Sequence, residues 1–228
     1  MRNVPCNLSD CFLCKTCIPD WKAAVALNKT TWLIKKGRVI ISEGDPVKGI
    51  YFLICGSVKV SKKWGDDKEL ILRFAVAGDI LGYRGLGGEV LYPISATALE
   101  DCQVCFIPNT FLEATLKVNH ELTYQLMHFY AAELQKAEKR MRDLAHMEVK
   151  GRIASALLHI TDAFGLDKEQ FIAAGITRQD IASYAGTTYE TVFKFFAELT
   201  DNAIISTNCK RIRIDNTGEL KTFIKSNT

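Results

Sequence analysis

The sequence has no long run of apolar residues. Its hydrophobic stretches fall well short of the roughly 18 residues that a transmembrane helix needs, so no membrane span is predicted. The N-terminal segment MRNVPCNLSDCFLCK also lacks the apolar core of a secretion signal. Both absences predict a cytoplasmic protein without a membrane partner.

Sequence features of common enzyme classes are missing too. There is no Gly-rich phosphate-binding loop and no pair of carboxylates at a spacing typical of catalysis, so the sequence does not favour an enzyme. Charge of either sign is not in excess: the chain has 29 basic and 26 acidic residues. Residues 148–228 carry equal numbers of each. Net charge therefore predicts nothing about nucleic-acid binding, and only residue patterns can.

Cysteine, in contrast, is abundant and unevenly distributed. Four of the 8 cysteines lie close to the N-terminus, namely Cys6, Cys11, Cys14 and Cys17. In a reducing compartment such crowded thiols are more often metal ligands or redox sensors than disulfides. The Cys11-x2-Cys14-x2-Cys17 spacing is typical of iron–sulfur ligands on one compact loop, and a structural zinc site uses similar spacings. A thiol–disulfide switch and unused thiols are the remaining alternatives.

Short predicted strands fill residues 31–107. Turn signals such as Glu43-Gly44-Asp45-Pro46 and Ala77-Gly78-Asp79 separate them, and glycine supplies the positive φ angles that tight corners need. Many short strands at regular spacing predict a jelly roll or barrel. The predicted strands are Thr31–Ile34, Val39–Ser42, Gly49–Ile54, Ser57–Lys63, Glu69–Phe74, Ile94–Thr97 and Gln103–Ile107.

A long helix is predicted after Pro108. Residues 109–146 contain neither Gly nor Pro and are rich in Ala, Leu, Glu, Lys and Met. Apolar residues recur there at alternating intervals of three and four, which is the pattern of a coiled-coil seam. We interpret the seam as the interface of a parallel homodimer, and packing on the chain's own domain is the alternative. The seam consists of Met127, Tyr130, Leu134, Ala137, Met141 and Leu144.

Two closely spaced helix-start signals predict a helix-turn-helix. The first is Thr177, which can cap a helix over Arg178–Ala185. The second is Thr187, which can cap a helix over Tyr189–Leu199, and Gly186 allows the sharp turn between the two helices. Two short helices joined by so brief a turn are typical of a DNA-binding motif.

The second of these helices is predicted to enter the major groove of DNA. Glu190 and Lys194 share one of its faces, where a carboxylate can accept from cytosine and a lysine can donate to guanine. An ordinary surface ion pair is the alternative interpretation. Residues at helix starts and in a predicted wing hairpin are placed for phosphate contact. The predicted DNA-contacting residues are Arg178, Gln179, Thr187, Thr188, Tyr189, Glu190, Thr191, Lys194, Lys210 and Arg211.

The chain resembles the CRP/FNR family of transcription regulators over nearly its whole length. The resemblance implies an α+β fold: an N-terminal double-stranded β-helix (a jelly roll like a cyclic-nucleotide-binding domain), a long dimerisation helix and a C-terminal winged helix-turn-helix. The matching strings are Glu43-Gly44-Asp45, Gly49-Ile50-Tyr51-Phe52, Gly56-Ser57-Val58-Lys59-Val60, Gly78-Asp79-Ile80-Leu81-Gly82, Lys150-Gly151-Arg152-Ile153-Ala154, Ile176-Thr177-Arg178-Gln179-Asp180-Ile181-Ala182 and Tyr189-Glu190-Thr191-Val192.

This resemblance implies four segments and a set of partners. The segments are a cysteine-rich arm at 1–20, a sensor roll at 21–118, a dimerisation helix at 119–147 and a DNA-binding domain at 148–228. The partners are double-stranded DNA carrying a palindromic operator, a second copy of the chain, and RNA polymerase. In the family's recognition helix Glu is followed four positions later by Arg, and Lys194 departs from this pattern. Lysine cannot make the paired hydrogen bonds that an arginine guanidinium makes, so the base sequence of the operator is not predicted.

The resemblance to the family's iron–sulfur branch also implies a signal. It points to a [4Fe-4S] cluster held by Cys11, Cys14, Cys17 and, late in the roll, Cys105, with Cys6 as a substitute for one of them. The implied function is a regulator that responds to oxygen, nitric oxide or redox state. The alternative is the same regulator with an organic effector in the roll and with cysteines that hold zinc or stay free.

Cyclic-nucleotide members of the family bind the phosphate through an Arg-Ser pair and the ribose through a Glu after a roll glycine. Here Tyr83 follows Gly82 at the Glu position, and Ile94-Ser95 stands where Arg-Ser would be. A buried phosphate without arginine is poorly satisfied, so cyclic AMP is disfavoured. Arg84 lies nearby and allows another anion. The predicted effector pocket consists of Gly82, Tyr83, Arg84 and Ser95.

Overall fold

The computed structural model describes residues 11–65, 68–87 and 90–225 of the chain. These residues form two compact units. The first unit runs to Gln135 but leaves out the short segment 69–72, which belongs to the second unit together with residues from Lys136 onward. None of the described helices is both long enough and apolar enough to cross a bilayer.

Eight strands in two four-stranded sheets build the jelly roll. One sheet has the order β1-β8-β3-β6 and the other has the order β2-β7-β4-β5, so successive strands mostly alternate between the sheets, as in a jelly roll. The strands are β1 (Thr30–Ile34), β2 (Val39–Ile41), β3 (Gly49–Cys55), β4 (Val58–Trp64), β5 (Lys68–Ala75), β6 (Ile80–Leu81), β7 (Ser95–Ala98) and β8 (Cys102–Pro108).

All seven predicted strands are present, with ends that shift by one residue. The sequence does not predict β6, because two residues are too few for a period-two pattern to show. The core lies where β3 and β8 pair at the centre of one sheet, and Phe52, Leu53 and Val104 are fully buried there. Burial of both central strands explains why their sequences read as nearly continuous apolar runs.

The segment before the roll is helical, which the sequence does not predict. It contains α1 (Phe12–Thr16), a 3-10 turn (Pro19–Trp21) and α2 (Lys22–Asn28). Each piece is too short for helical periodicity to be visible, and short helices owe their stability to packing. Leu13 and Val25 provide that packing, since both are buried in a core cluster with residues of the roll.

The long predicted helix is interrupted once. α3 (Asn109–Val118) ends at Asn119, whose φ of −105° and ψ of 82° are not helical, and α4 (His120–His146) follows directly. The prediction of one continuous helix, based on the absence of Gly and Pro, therefore misses this break. Its cause is tertiary: Asn119 is fully buried, and its side chain accepts hydrogen bonds from the segment before the roll.

The second unit has the predicted winged helix-turn-helix architecture. The predicted bounds of the helix Arg178–Ala185 match the structure, the helix predicted over Tyr189–Leu199 extends to Asp201, and the last helix is not predicted. The elements are α5 (Val149–Phe164), α6 (Arg178–Ala185), α7 (Tyr189–Asp201), β9 (Ile205–Asn208), β10 (Arg211–Ile214) and α8 (Thr217–Lys225). Gly151 lets α8 approach α5, because a Cβ there would lie 2.7 Å from the carbonyl oxygen of Phe223.

Segment 69–72 of β5 is bound to α6 within this second unit. The Ser183 hydroxyl accepts a hydrogen bond from the Ile71 amide (3.1 Å) and donates one to the Glu69 carbonyl (2.7 Å). The Arg140 guanidinium lies 3.9 Å from the ring centroid of Tyr184 and donates to the carbonyls of Ile71 and Tyr184. Strand backbone and helix are thus joined by directional polar contacts.

Candidate DNA-binding surface and cysteine site

A capping box fixes the start of α6. The Thr177 hydroxyl accepts from the Asp180 amide (3.1 Å), and the Asp180 carboxylate accepts from the Thr177 amide (3.0 Å). These reciprocal bonds satisfy two amides that a helix start leaves without partners, as the sequence predicts. Ile176 and Ile181 are both buried beside the cap, so the entry of the chain into α6 is also fixed by apolar contact.

Gly186 forms the corner between α6 and α7. Its φ of 63° and ψ of 47° are left-handed, a conformation that glycine adopts without strain. A Cβ at this position would lie 2.8 Å from the Leu144 side chain. The left-handed backbone therefore requires glycine at the turn, whereas the Leu144 methyl group could move to admit a Cβ.

The cap of α7 lies one residue later than predicted. Thr188, and not Thr187, is the N-cap, and its hydroxyl accepts from the Thr191 amide at 3.3 Å. The Thr187 amide instead donates to the Ala182 carbonyl and closes the turn. The prediction of Thr187 as cap is wrong because two adjacent threonines offer the same chemistry, and only the turn geometry selects between them.

This cap makes a direct prediction for stability. Thr188→Ala is expected to lower the free energy of unfolding by about 1 kcal/mol, because the helix start loses its side-chain acceptor. Thr187→Ala, the matched control, is expected to change it by only a few tenths of that amount. Urea denaturation of both variants without DNA measures the difference. An equal loss in the two variants would contradict the assignment of the cap.

The predicted base-reading residues lie on the outward face of α7. Glu190 and Lys194 are exposed, while the opposite face of the helix is buried. Hydrogen bonds from its own backbone amide and from the Thr188 hydroxyl lower the pKa of Glu190, with Lys194 adding a smaller effect. The carboxylate is therefore ionised at neutral pH. It is an acceptor that can pair with a base-edge donor.

Other predicted DNA contacts surround this face. Thr188 and Tyr189 are exposed at the start of α7, and Thr191 is half-buried one turn along. Gln179 is exposed at the start of α6, whereas Arg178 is half-buried with its guanidinium 5.4 Å from the ring centroid of Phe196. The structure thus brings the start of α6 and the outward face of α7 into one polar surface.

The two predicted phosphate ligands of the β9–β10 hairpin lie in different surroundings. Lys210 is exposed at the tip. Arg211 instead makes ion pairs of 2.6 Å with both Asp167 and Glu169, and its guanidinium lies 4.3 Å from the ring centroid of Phe171. These partners hold Arg211 against the loop after α5, so a phosphate would compete with two carboxylates for its guanidinium.

The structure gathers the four predicted cysteine ligands in one place. Cys11 and Cys17 flank α1 as its N-cap and C-cap, and Cys14 lies within that helix. Cys105 is buried on β8, opposite Phe52 of β3. All four thiols belong to or pack against a single core cluster. Cys6, the predicted substitute, lies outside the described residues.

Electrostatic coupling shows that the thiols are neighbours. The pKa of Cys11 is lowered, chiefly by a hydrogen bond from the Cys14 thiol, and Cys105 acts on it in the opposite direction. Burial raises the pKa of Cys17, with a further contribution from Cys14. A pocket of about 130 Å³ adjoins Cys14 and Cys17 and is also lined by Lys22 and other residues of α2.

The four cysteine thiols are the chemical type of ligand that binds an iron–sulfur cluster. Thiolates are the ligands that such clusters require, and a buried, mostly apolar setting is where they are commonly held. Among the described residues, no three or more His, Cys, Asp and Glu side chains are arranged around a position for one metal ion.

Asn119 connects the cysteine segment to the start of α4, and the sequence gives no sign of this role. Its side-chain oxygen accepts from the Ile18 amide at 2.9 Å and from the Cys17 thiol at 3.4 Å. Nearby, the Trp21 indole donates to the Thr115 hydroxyl at 3.1 Å. A polar residue in an otherwise helical pattern is the one signal that could have indicated a break.

The predicted effector pocket is almost completely filled. Gly82, Tyr83 and Arg84 do line it, but its volume is only about 10 Å³, barely enough for one water molecule. The Tyr83 hydroxyl donates to the buried Glu133 carboxylate at 2.6 Å, and the Tyr130 hydroxyl donates to the Tyr83 carbonyl at 2.6 Å. Tyr83 therefore occupies the space that an effector would need.

Ser95 does not line this small pocket. Its hydroxyl accepts from the Glu43 amide at 3.0 Å, and its strand position pairs with Ser61 of β4. The residue before it, Ile94, lines the pocket instead. Side chains alternate along extended chain, so Ile94, just before β7, and Ser95, its first residue, point to opposite faces of the sheet.

The exposed apolar stripe of α4 is narrower than the predicted seam. Met127, Leu134 and Met141 are 57%, 61% and 64% exposed and recur every seven residues. Ala137 is exposed between them, whereas Tyr130 is held by its bond to Tyr83 and is half-buried. Leu144 is also half-buried, since it packs at the corner described above. Three large apolar side chains in one exposed row are typical of an interface.

Comparisons with known proteins agree with this architecture. Residues 32–119 match the family model of the cyclic nucleotide-binding domain, and residues 151–223 match that of the Crp-like helix-turn-helix domain. The transcriptional activator protein Anr of Pseudomonas aeruginosa is 29% identical over 223 residues, which are 94% of this chain and 91% of that protein. The anaerobic regulatory protein of Bacillus subtilis is 30% identical over 176 residues, which are 76% and 74% of the two chains.

A solved structure shows the same likeness. FixK2 from Bradyrhizobium japonicum matches with a TM-score of 0.76 at 25% identity, over 88% of this chain and 99% of that chain. A roll of the cyclic nucleotide-binding type followed by a winged helix-turn-helix defines a DNA-binding transcription regulator and not an enzyme. The chain belongs to the CRP/FNR family of transcription regulators, on its FNR branch.

Proposed function

We propose that this regulator binds a palindromic operator as a homodimer and responds to oxygen or nitric oxide through a [4Fe-4S] cluster. Cys11, Cys14, Cys17 and Cys105 would hold the cluster, and RNA polymerase is the proposed partner of the DNA-bound dimer. The observation that carries the proposal is the convergence of these four thiols in one core cluster, with α1 and β8 as their supports.

The exposed stripe of α4 supports the homodimer. Met127, Leu134 and Met141 repeat at the heptad interval, and a second copy of the helix would remove all three from water. A two-fold dimer also presents α7 twice, which is what a palindromic operator requires. The stripe and the recognition helix therefore support the same assembly.

The chain's own residues are suited to hold a redox-sensitive group. When bound, an iron–sulfur cluster supplies a centre that oxygen and nitric oxide attack. The buried side chains around Cys11 and Cys17 exclude bulk water from these two thiols. Asn119 ties the same segment to the start of α4. A change in the cysteine segment is thereby transmitted to the helix that carries the stripe.

The filled roll pocket argues against a cyclic nucleotide as the signal. A nucleotide is far larger than a space of about 10 Å³. Making room would require breaking the Tyr83–Glu133 hydrogen bond and leaving a carboxylate buried without this donor. We therefore place the sensing chemistry in the cysteine segment.

Selection from random DNA tests the DNA-binding part of this proposal. Protein kept without air is expected to select a palindrome and to lose affinity for it after exposure to air, as measured by fluorescence anisotropy. Glu190→Gln is expected to weaken binding about 10- to 100-fold per half-site, because the variant loses its charged acceptor for a base edge.

Asp201→Asn is the matched control for Glu190→Gln, since Asp201 lies exposed at the far end of the same helix and loses the same charge. It is expected to keep the affinity of the unaltered protein. Failure of the unaltered protein to enrich any palindrome, with or without air, would overturn the proposal.

A further inference from the structure

Phe193 is a large apolar residue of α7 whose exposure the predicted contacts do not explain. Its side chain is 53% exposed, whereas Val192, Phe195 and Phe196 on the other face of the helix are at most 2% exposed. A large aromatic ring in water forgoes the free energy that burial would provide. Phe193 is therefore not part of the helix-turn-helix core, and its ring is available to a ligand on the outward face.

The neighbours of Phe193 are the groups assigned to DNA. Its ring stacks on that of Tyr189, one turn earlier, with 6.3 Å between centroids and 27° between planes. The guanidinium carbon of Arg178 lies 5.7 Å from the centroid of the Phe193 ring. Along α7 the ring lies between Glu190 and Lys194. The Phe193 ring is thus an apolar surface, restrained by Tyr189, that lies beside the groups predicted to contact DNA.

We propose that Phe193 reads a thymine in each half-site by contacting its 5-methyl group. The inference rests on the proposed role of α7 as the recognition helix. Thymine is the one base that presents a methyl group in the major groove, and an apolar side chain can select it there. Tyr189 acts as a positioning residue, because stacking restricts the Phe193 ring before DNA arrives and reduces the entropy lost on binding.

The test removes the methyl group and nothing else from the DNA. In the palindrome selected by the unaltered protein, each symmetric pair of thymines is replaced in turn by deoxyuridine. At one pair the affinity is expected to fall about fourfold per half-site, the value of one buried methyl group, and about 16-fold for the whole operator. The other pairs are expected to bind as before.

A double-mutant cycle assigns this loss to Phe193. Phe193→Ser is expected to bind the thymine and deoxyuridine operators equally, since it has no ring to contact the methyl group. Phe193→Leu keeps an apolar side chain and is expected to retain part of the preference for thymine. Circular dichroism of both variants confirms that α7 is folded.

The outcomes separate this inference from the proposed function. Equal binding of thymine and deoxyuridine operators by the unaltered protein would overturn the role of Phe193 and leave DNA binding intact. A thymine preference that survives in Phe193→Ser would also overturn the role of Phe193. The exposed ring would then be a candidate for contact with another protein. If no palindrome is selected at all, the proposed function itself fails first.

Discussion

Cys105→Ser is expected to yield a colourless protein under conditions in which the unaltered chain is brown. Purified without air, the unaltered protein should contain about four iron atoms and four acid-labile sulfides per chain. Serine at position 105 supplies a hard oxygen where a soft thiolate is needed, so the cluster loses one of its four ligands. Iron and sulfide analysis with the visible absorption spectrum measures the effect.

The position of Cys105 makes this variant informative. It is 2% exposed on a central strand of the roll, so the core of the roll fixes the position of its thiol. Cys209→Ser is the matched control, because Cys209 is exposed at the tip of the β9–β10 hairpin. It should keep its full iron content. Anaerobic protein with one zinc and no iron would contradict the cluster assignment and leave the regulator assignment unaffected.

Leu134→Glu is expected to convert the regulator into a monomer at micromolar concentrations. Each dimer would have to bury two carboxylates without cations beside them, which costs about 3 kcal/mol or more. The dimer dissociation constant should then rise at least about 100-fold. Operator affinity should fall by a similar factor, because a monomer places only one α7 on the DNA and contacts only one half-site. Analytical ultracentrifugation and anisotropy measure the two effects.

Ala132→Glu controls for the added charge. Ala132 is exposed on α4 but lies away from the Met127–Leu134–Met141 row, so its substitution should leave the dimer intact. A Leu134→Glu protein that still sediments as a dimer would show that this row is not the interface. Retained operator binding by a monomeric variant would instead separate dimerisation from DNA recognition.

The roll could be predicted in detail, but the helical pieces around it could not. Seven strands were visible because each alternates or runs apolar between glycine turns. α1 and α2 have too few residues to show a period. The break at Asn119 depends on hydrogen bonds to Ile18 and Cys17, about one hundred positions earlier in the chain. Contacts of such long range leave no local signature.

In the sites, too, features that depend on nearby residues could be predicted, whereas features that depend on tertiary contacts could not. The Thr177 cap could be predicted, since its partner Asp180 is three residues away. Thr187 and Thr188 offer the same capping chemistry in the sequence, and only the turn at Gly186 selects Thr188. Arg211 looks like any wing cation in the sequence. Its carboxylate partners lie more than forty residues earlier, on a loop whose position only the fold defines.

The pairing of Arg211 with Asp167 and Glu169 has a consequence for ionic strength. A cation already neutralised by two carboxylates displaces no condensed counterion when it approaches a phosphate. Of the two basic residues at the hairpin tip, Lys210 alone then adds to the counterions released on complex formation. Each half-site should accordingly release about one ion fewer than a count of surface arginines and lysines suggests, and operator occupancy in the cell should be correspondingly less sensitive to potassium.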